Sequence, residues 1–217
     1  MIVEFLSCSA TGKSTINKLL RQEFGGPKRV NAPAGSPKHY PYQREKFRHA
    51  LAKMGNRVLE IEHNRQRRCL HRRFNGHYWA KQKYQGRLVC WDEGTIQCLG
   101  SLFHTYNELP LLTEVIRMLK GWPLPDLVII LDVDKDRVLK RKMKRDGHLP
   151  EEYDRISEHF DIQRNIIDLF TPAFDGMGIR YFRLPNNFDD PQELLESMWW
   201  KRLVDIIKKG LEDERKG

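Results

Sequence analysis

The chain has 217 residues, 40% of them hydrophobic and 10% aromatic, which is enough to close the core of one folded domain without disulfide or metal staples. Lys and Arg outnumber Asp and Glu by 38 to 29, a formal net charge of +9 that points to anionic ligands such as nucleotides, phosphosugars or nucleic acid. No apolar run approaches the roughly 18 residues of a spanning helix, so insertion into a membrane is not expected.

The first element is an apolar strand over Ile2–Leu6. It runs into Ser7-Cys8-Ser9-Ala10-Thr11-Gly12-Lys13-Ser14-Thr15, and a helix is expected over Ser14–Phe24, stopped by Gly25-Gly26-Pro27. A tight loop between a buried strand and a helix N-terminus presents successive backbone N–H groups and the positive end of the helix dipole to an anion. In such a loop Ser9, Ala10, Thr11, Gly12, Lys13, Ser14 and Thr15 would line the phosphates, with Lys13 on the β and γ groups. The Ser14 hydroxyl would ligate Mg2+, and Thr15 would help to cap and pack the helix. The motif GxxxxGK[ST] has glycine where Ser7 stands, and Ala10 also occupies a frequent glycine position. The first six residues lack the basic region and cleavage site of a signal peptide.

A short strand is expected at Arg29–Val30, followed by an irregular loop over Asn31–Pro41 with four prolines or glycines. Helices are expected over Tyr42–Met54 and from Val58 to about Tyr84. The second carries Glu62-His63-Asn64-Arg65-Gln66-Arg67-Arg68, polar on every side, and continues to Arg72 and Arg73. Such a stretch faces solvent or a polar cavity, and Arg65, Arg68 and Arg72 are suited to hold an anionic acceptor or a nucleic-acid backbone.

The strand Leu88–Trp91 ends in Asp92-Glu93-Gly94, which places two carboxylates at the carboxyl edge of the sheet, where ligands of open α/β sheets bind. Asp92 would hold Mg2+ through water or accept the proton of an attacking hydroxyl, and Glu93 would take the other role. The plainer alternative is that Asp92 only caps the next helix, expected over Thr95–Lys120 and split by Pro110.

The strand Leu127–Val133 precedes a basic helix over Asp136–Arg145, with Asp134 as its N-cap. Arg141 and Arg145 are four apart and share a helix face, from which a lid at about 137–150 would neutralise charge on a transferring phosphoryl group; a solvated basic helix is the alternative. A helix over Glu151–Phe170, a strand over Ile179–Leu184 and a helix over Pro191–Lys209 follow, before a charged tail at 212–217 expected to fray. Strands alternating with helices imply an α/β fold of three layers, a five-stranded, mainly parallel sheet with helices on both faces.

The four cysteines, Cys8, Cys69, Cys90 and Cys98, show no zinc or CxxC spacing and fit free thiols in a reducing cytoplasm, with Cys8 placed for oxidation inside the loop.

With these residues in order, the chain resembles the P-loop nucleoside and nucleotide kinase superfamily. The likeness is to its thymidylate-kinase-like branch, including kinases often associated with bacterial polysaccharide assembly. The resemblance implies ATP as donor and Mg2+ as cofactor. It matches Lys13 and Ser14 to the phosphate and magnesium residues, Asp92 to the acid ending the third strand, and Arg141 and Arg145 to the lid arginines. Arg155 and Arg164 fall where related kinases place further phosphate-facing groups, and the adenine pocket would lie between the lid and Pro185-Asn186-Asn187. Nucleoside kinases of the branch usually follow the acid with arginine, where this chain has Glu93-Gly94.

The expected activity is transfer of the γ-phosphoryl group to a hydroxyl or phosphate on a small anionic, nucleotide-like or sugar-like acceptor. A hydroxyl on DNA, RNA or glycan is the alternative within the class. A nucleotide-binding switch or scaffold with slow hydrolysis is the alternative outside it, and a homodimer is left open.

Overall fold

The computed structural model describes residues 1–27, 76–77, 79–106, 112–120, 124–147 and 150–216. Four parallel strands, β1 (Ile2–Leu6), β2 (Val89–Trp91), β3 (Leu127–Asp132) and β4 (Arg180–Pro185), lie in the order β2-β1-β3-β4. β1 pairs with β2 from Ile2 opposite Val89 and with β3 from Val3 opposite Leu127. The strand expected at Arg29–Val30 lies outside the described residues, as do the helix over Tyr42–Met54 and the arginines Arg65, Arg68 and Arg72.

The helices are α1 (Lys13–Phe24), α2 (Thr95–Tyr106), α3 (Leu112–Leu119), α4 (Lys135–Asp146), α5 (Tyr153–Met177), α6 (Pro191–Glu196) and α7 (Met198–Lys216). Side chains alternate across β1, and that alternation assigns the layers. Val3 and Phe5 join the core formed with Ile16 and Leu20 of α1 and Leu203 and Ile207 of α7. Leu6, facing the other way, joins the core formed with Ile96 of α2, Leu139 of α4 and Phe170 of α5. β3 is covered on both sides, which is why its sequence is a near-continuous apolar run.

Three helix boundaries depart from expectation. α5 continues through Pro172 to Met177, because burial of Ala173 and Phe174 outweighs the one backbone hydrogen bond a proline forfeits. The last helix breaks at Ser197, whose extended backbone (φ −67, ψ 151) ends α6. Its Oγ accepts from the N–H of Trp200 at 3.1 Å and so caps α7. α7 runs on to Lys216, beyond the expected end at Lys209, and Glu214 Oε2 accepts from the Met1 amine at 2.6 Å.

The parallel arrangement brings the carboxyl ends of all four strands to one edge. The loop after β1, the acids after β2, the start of α4 after β3 and the loop after β4 meet there.

Candidate phosphate-transfer site

The loop after β1 turns tightly enough to need two left-handed residues. Gly12, the N-cap of α1, has φ 92, and Ala10 has φ 62, the one non-glycine residue with positive φ among those described. Gly12 makes no side-chain cap, so the first N–H groups of α1 carry no intrahelical or capping partner and face the loop mouth. Ser14 and Thr15 are exposed in that first turn; Thr15 therefore does not pack the helix as expected.

Ser7, where the motif has glycine, uses its side chain. Its Oγ lies 2.7 Å from Thr11 Oγ1, and Thr11 Oγ1 donates to the Cys8 carbonyl at 3.0 Å. Two glutamines brace the same loop from the helical layer: Gln97 Oε1 accepts from the Ser7 N–H at 3.0 Å, and Gln163 Oε1 from the Ser9 N–H at 3.2 Å. Asn186, from the loop after β4, donates through Nδ2 to the Thr11 carbonyl at 2.6 Å. A Cβ added to Gly12 would lie 2.6 Å from that nitrogen, so position 12 requires glycine for space as well as for φ.

Lys13 is folded back over the loop, its Nζ donating to the Cys8 carbonyl at 3.0 Å and to Ser7 Oγ at 3.2 Å. Burial pushes its pKa below the ordinary lysine range, while Glu93 most strongly, then Cys8 and Asp92, pull it back up and Arg145 adds to the lowering. Arg145 Nη2 donates to Ser9 Oγ at 3.1 Å, and its fork is bound by Asp146. Arg141, expected beside it, reaches elsewhere: its Nη2 donates to the Phe188 carbonyl at 2.6 Å, in the loop after β4.

Asp92 does not cap α2. That role falls to Glu4, a fully buried carboxylate in the middle of β1, whose Oε1 accepts from the N–H of Thr95 at 2.5 Å and whose Oε2 accepts from the N–H of Ile96 at 2.9 Å. His77 Nε2 lies 2.5 Å from Glu4 Oε1, and its ring meets Trp91 edge-on. Asp92 is left to receive the side-chain amide of Asn17, one turn beyond Lys13 on α1. Asp134 sits at the N-cap of α4 without a side-chain cap; its backbone N–H goes to Asn187 Oδ1 at 2.9 Å.

Arg164 is committed to Asp132 and, at 3.4 Å, to Asp168; Arg183 joins both acids, at 3.3 Å and 3.0 Å. Beside this network an open cleft of about 360 Å³ lies between the start of α4, α5 and the loop after β4, lined among others by Lys135, Phe160, Pro185 and Asn187. Arg155 pairs with Glu152. Cys8 is buried, not placed for oxidation: burial pushes its thiol up to about 12, where almost no thiolate forms.

Glu4, Asn17 and the two glutamines escaped the sequence reading, and Asn186, expected at the rim of an adenine pocket, was not expected to hold the loop after β1. Glu4 and Asn17 did leave a signal, since each is a polar residue inside an apolar pattern that the structure buries. Asn186 and the glutamines act across long sequence separations and left none.

Neither a family model nor a curated protein sequence matches the chain. Among solved structures it is similar to the deoxyadenosine kinase from M. mycoides with bound dATP, at a TM-score of 0.56 and 17% identity, over 94% of this chain and 100% of that one. The same kinase with dCMP and dCDP bound gives 0.51 at 19% identity, over 95% and 100%. The thymidylate kinase from Candida albicans gives 0.51 at 13% identity, over 96% and 91%. Among the described residues no helix is long and apolar enough to cross a membrane.

Proposed function

The chain has the fold of P-loop nucleoside and nucleotide kinases, and on that premise we propose that it is an ATP-dependent phosphotransferase. It moves the γ-phosphoryl group of Mg-ATP to a hydroxyl or phosphate on a small anionic, nucleotide-like or sugar-like acceptor. The observation that carries this reading is one glycine-turned loop at the carboxyl edge of the sheet on which Lys13 and Arg145 both rest, with Asp92 tied to the helix that follows it.

Catalysis here is positioning and charge neutralisation. The free N–H groups at the start of α1 and the Lys13 ammonium hold the β and γ phosphates. Asp92 orients the acceptor hydroxyl and takes its proton as the new O–P bond forms and the bond from Pγ to the β-phosphate oxygen breaks. Arg145, already against Ser9, faces the charge that moves onto the leaving oxygen. The open cleft beside Pro185 and Asn187 receives the donor base.

The donor set suits magnesium. Ser14 is exposed in the first turn of α1 and Asp92 ends β2, and Asn17, three residues after Ser14 on the same helix face, donates to Asp92 and ties the two oxygen donors together. When bound, the magnesium ion neutralises charge on the β and γ oxygens.

Incubation with labelled ATP and a panel of nucleosides, nucleotides and sugars tests the proposal. Label should appear on an acceptor; label released only to water would overturn it. Asp92→Asn should lower kcat far more than it weakens ATP binding, and an unchanged rate would remove Asp92 from the chemistry.

A further inference from the structure

Asn17 occupies a position that a leucine would fill at less cost. It lies inside α1 between Ile16 and Leu20, is 7% exposed, and faces the end of β2. A buried amide is tolerated where its polar atoms are hydrogen-bonded. Asn17 meets that condition only by half. Its Nδ2 donates to Asp92 Oδ1, while its own Oδ1 is buried without a donor. Exchanging the two ends of the amide would not help, since it would set a carbonyl oxygen against a carboxylate oxygen. The carboxylate therefore dictates the orientation, and the unmatched oxygen follows from it.

The spacing gives the arrangement a direction. Asn17 is four residues after Lys13 and three after Ser14, so phosphate lysine, exposed hydroxyl and buried amide lie along one face of the helix. Opposite them, Glu4 holds the N–H groups of Thr95 and Ile96, which anchors the far side of the turn that carries Asp92 and Glu93. The acid turn is thus gripped at both ends, from β1 and from α1.

We infer that Asn17 is a positioning residue for phosphoryl transfer. Its amide occupies Asp92 Oδ1 and so presents Oδ2 to the reacting groups, and its own Oδ1 accepts a hydrogen bond from an O–H group that arrives with the substrates. This inference rests on the kinase reading above. It separates from a merely structural tie between α1 and β2 by where a variant loses function: a tie would weaken the fold, whereas a positioning residue acts on turnover and on the magnesium-dependent part of nucleotide binding.

The test uses the full chain with Asn17→Leu and Asn17→Asp, comparing Tm without nucleotide, ATP affinity by calorimetry with and without Mg2+, and kcat with the best acceptor found. Asn17→Leu should keep its Tm and its Mg2+-free ATP affinity, yet lose about tenfold or more in kcat and most of the tightening that Mg2+ brings. Asn17→Asp keeps the side-chain shape, sets two carboxylates together, and should lose more; should the leucine variant not fold, the aspartate variant decides by the same ratios. A variant that folds and retains kcat and Mg2+-dependent tightening within about twofold of the parent overturns the inference. Failure of the parent itself to bind ATP is a different result, which removes the kinase reading and this inference with it.

Discussion

Gly94→Ala should be among the most damaging single-methyl additions outside the phosphate loop. A Cβ at position 94 would overlap Cδ and Oε1 of Glu4, a fully buried side chain held by two helix N–H groups and His77. The methyl cannot move, so Glu4 must, and the N–H groups of Thr95 and Ile96 then lose a charged acceptor where water does not reach. Each unsatisfied buried donor costs about 1–3 kcal/mol, so the pair sums to roughly 2–6 kcal/mol. Against a total stability of about 5–15 kcal/mol this is a large fraction, equivalent to a Tm loss of roughly 4–24 °C for a chain of this size.

Urea denaturation monitored by tryptophan fluorescence measures it, with a lower midpoint at unchanged m expected. Glu4→Ala should also destabilise. The double variant should be no worse than Glu4→Ala alone, because the shortened side chain vacates the overlapped volume. A loss below about 1 kcal/mol in Gly94→Ala, or strictly additive effects in the cycle, would refute the reasoning.

Other perturbations address the loop itself. Ala10→Gly relieves a left-handed alanine worth about 1–2 kcal/mol and adds about 0.5–1 kcal/mol of chain entropy cost, so a net gain of about 0–1.5 kcal/mol is expected in the same urea assay. Lys13→Met should abolish transfer while raising the nucleotide-free Tm at pH 7. The folded pKa of Lys13 lies below its unfolded value, so the penalty on the buried ammonium is full at low pH and fades as pH rises towards about 10.4; the gain over the parent should shrink by pH 10. A lower Tm at pH 7 would contradict this. Cys8 should resist iodoacetamide at pH 8 in the native chain and react once unfolded, as peptide mass spectrometry would show; prompt native labelling would mean that the thiol is not shielded.

Much of the scaffold was legible because its signals are local. β1 and α1 follow from an apolar run, a helical period and the Gly25 stop, and Gly25 does adopt φ 66. The acids after β2 were legible as a strand end, but which carboxylate receives the first N–H groups of α2 was not. That choice depends on Glu4, which is distant in sequence and which the apolar run around it concealed. Likewise the periodicity of Pro191–Lys209 hid the break at Ser197, although a serine before Met198-Trp199-Trp200 carries the chemistry of an N-cap. Arg141 and Arg145 are four apart on α4, yet one reaches the Phe188 carbonyl in the loop after β4 and the other Ser9 in the loop after β1. The basic stretch from Arg65 to Arg72 lies outside the described residues.

The clasp of Asn186 on Thr11 and Gly12 has a consequence for redesign. The loop that begins at Pro185 borders the cleft and, through Asn186, also props the turn that grips phosphate; the backbone of the same loop receives Arg141. On the proposed reading, base preference and phosphate grip would share one short piece of chain. A library that varies this loop will recover variants that keep asparagine at 186 and glycine at 12 together, since the amide and the missing Cβ occupy the same space.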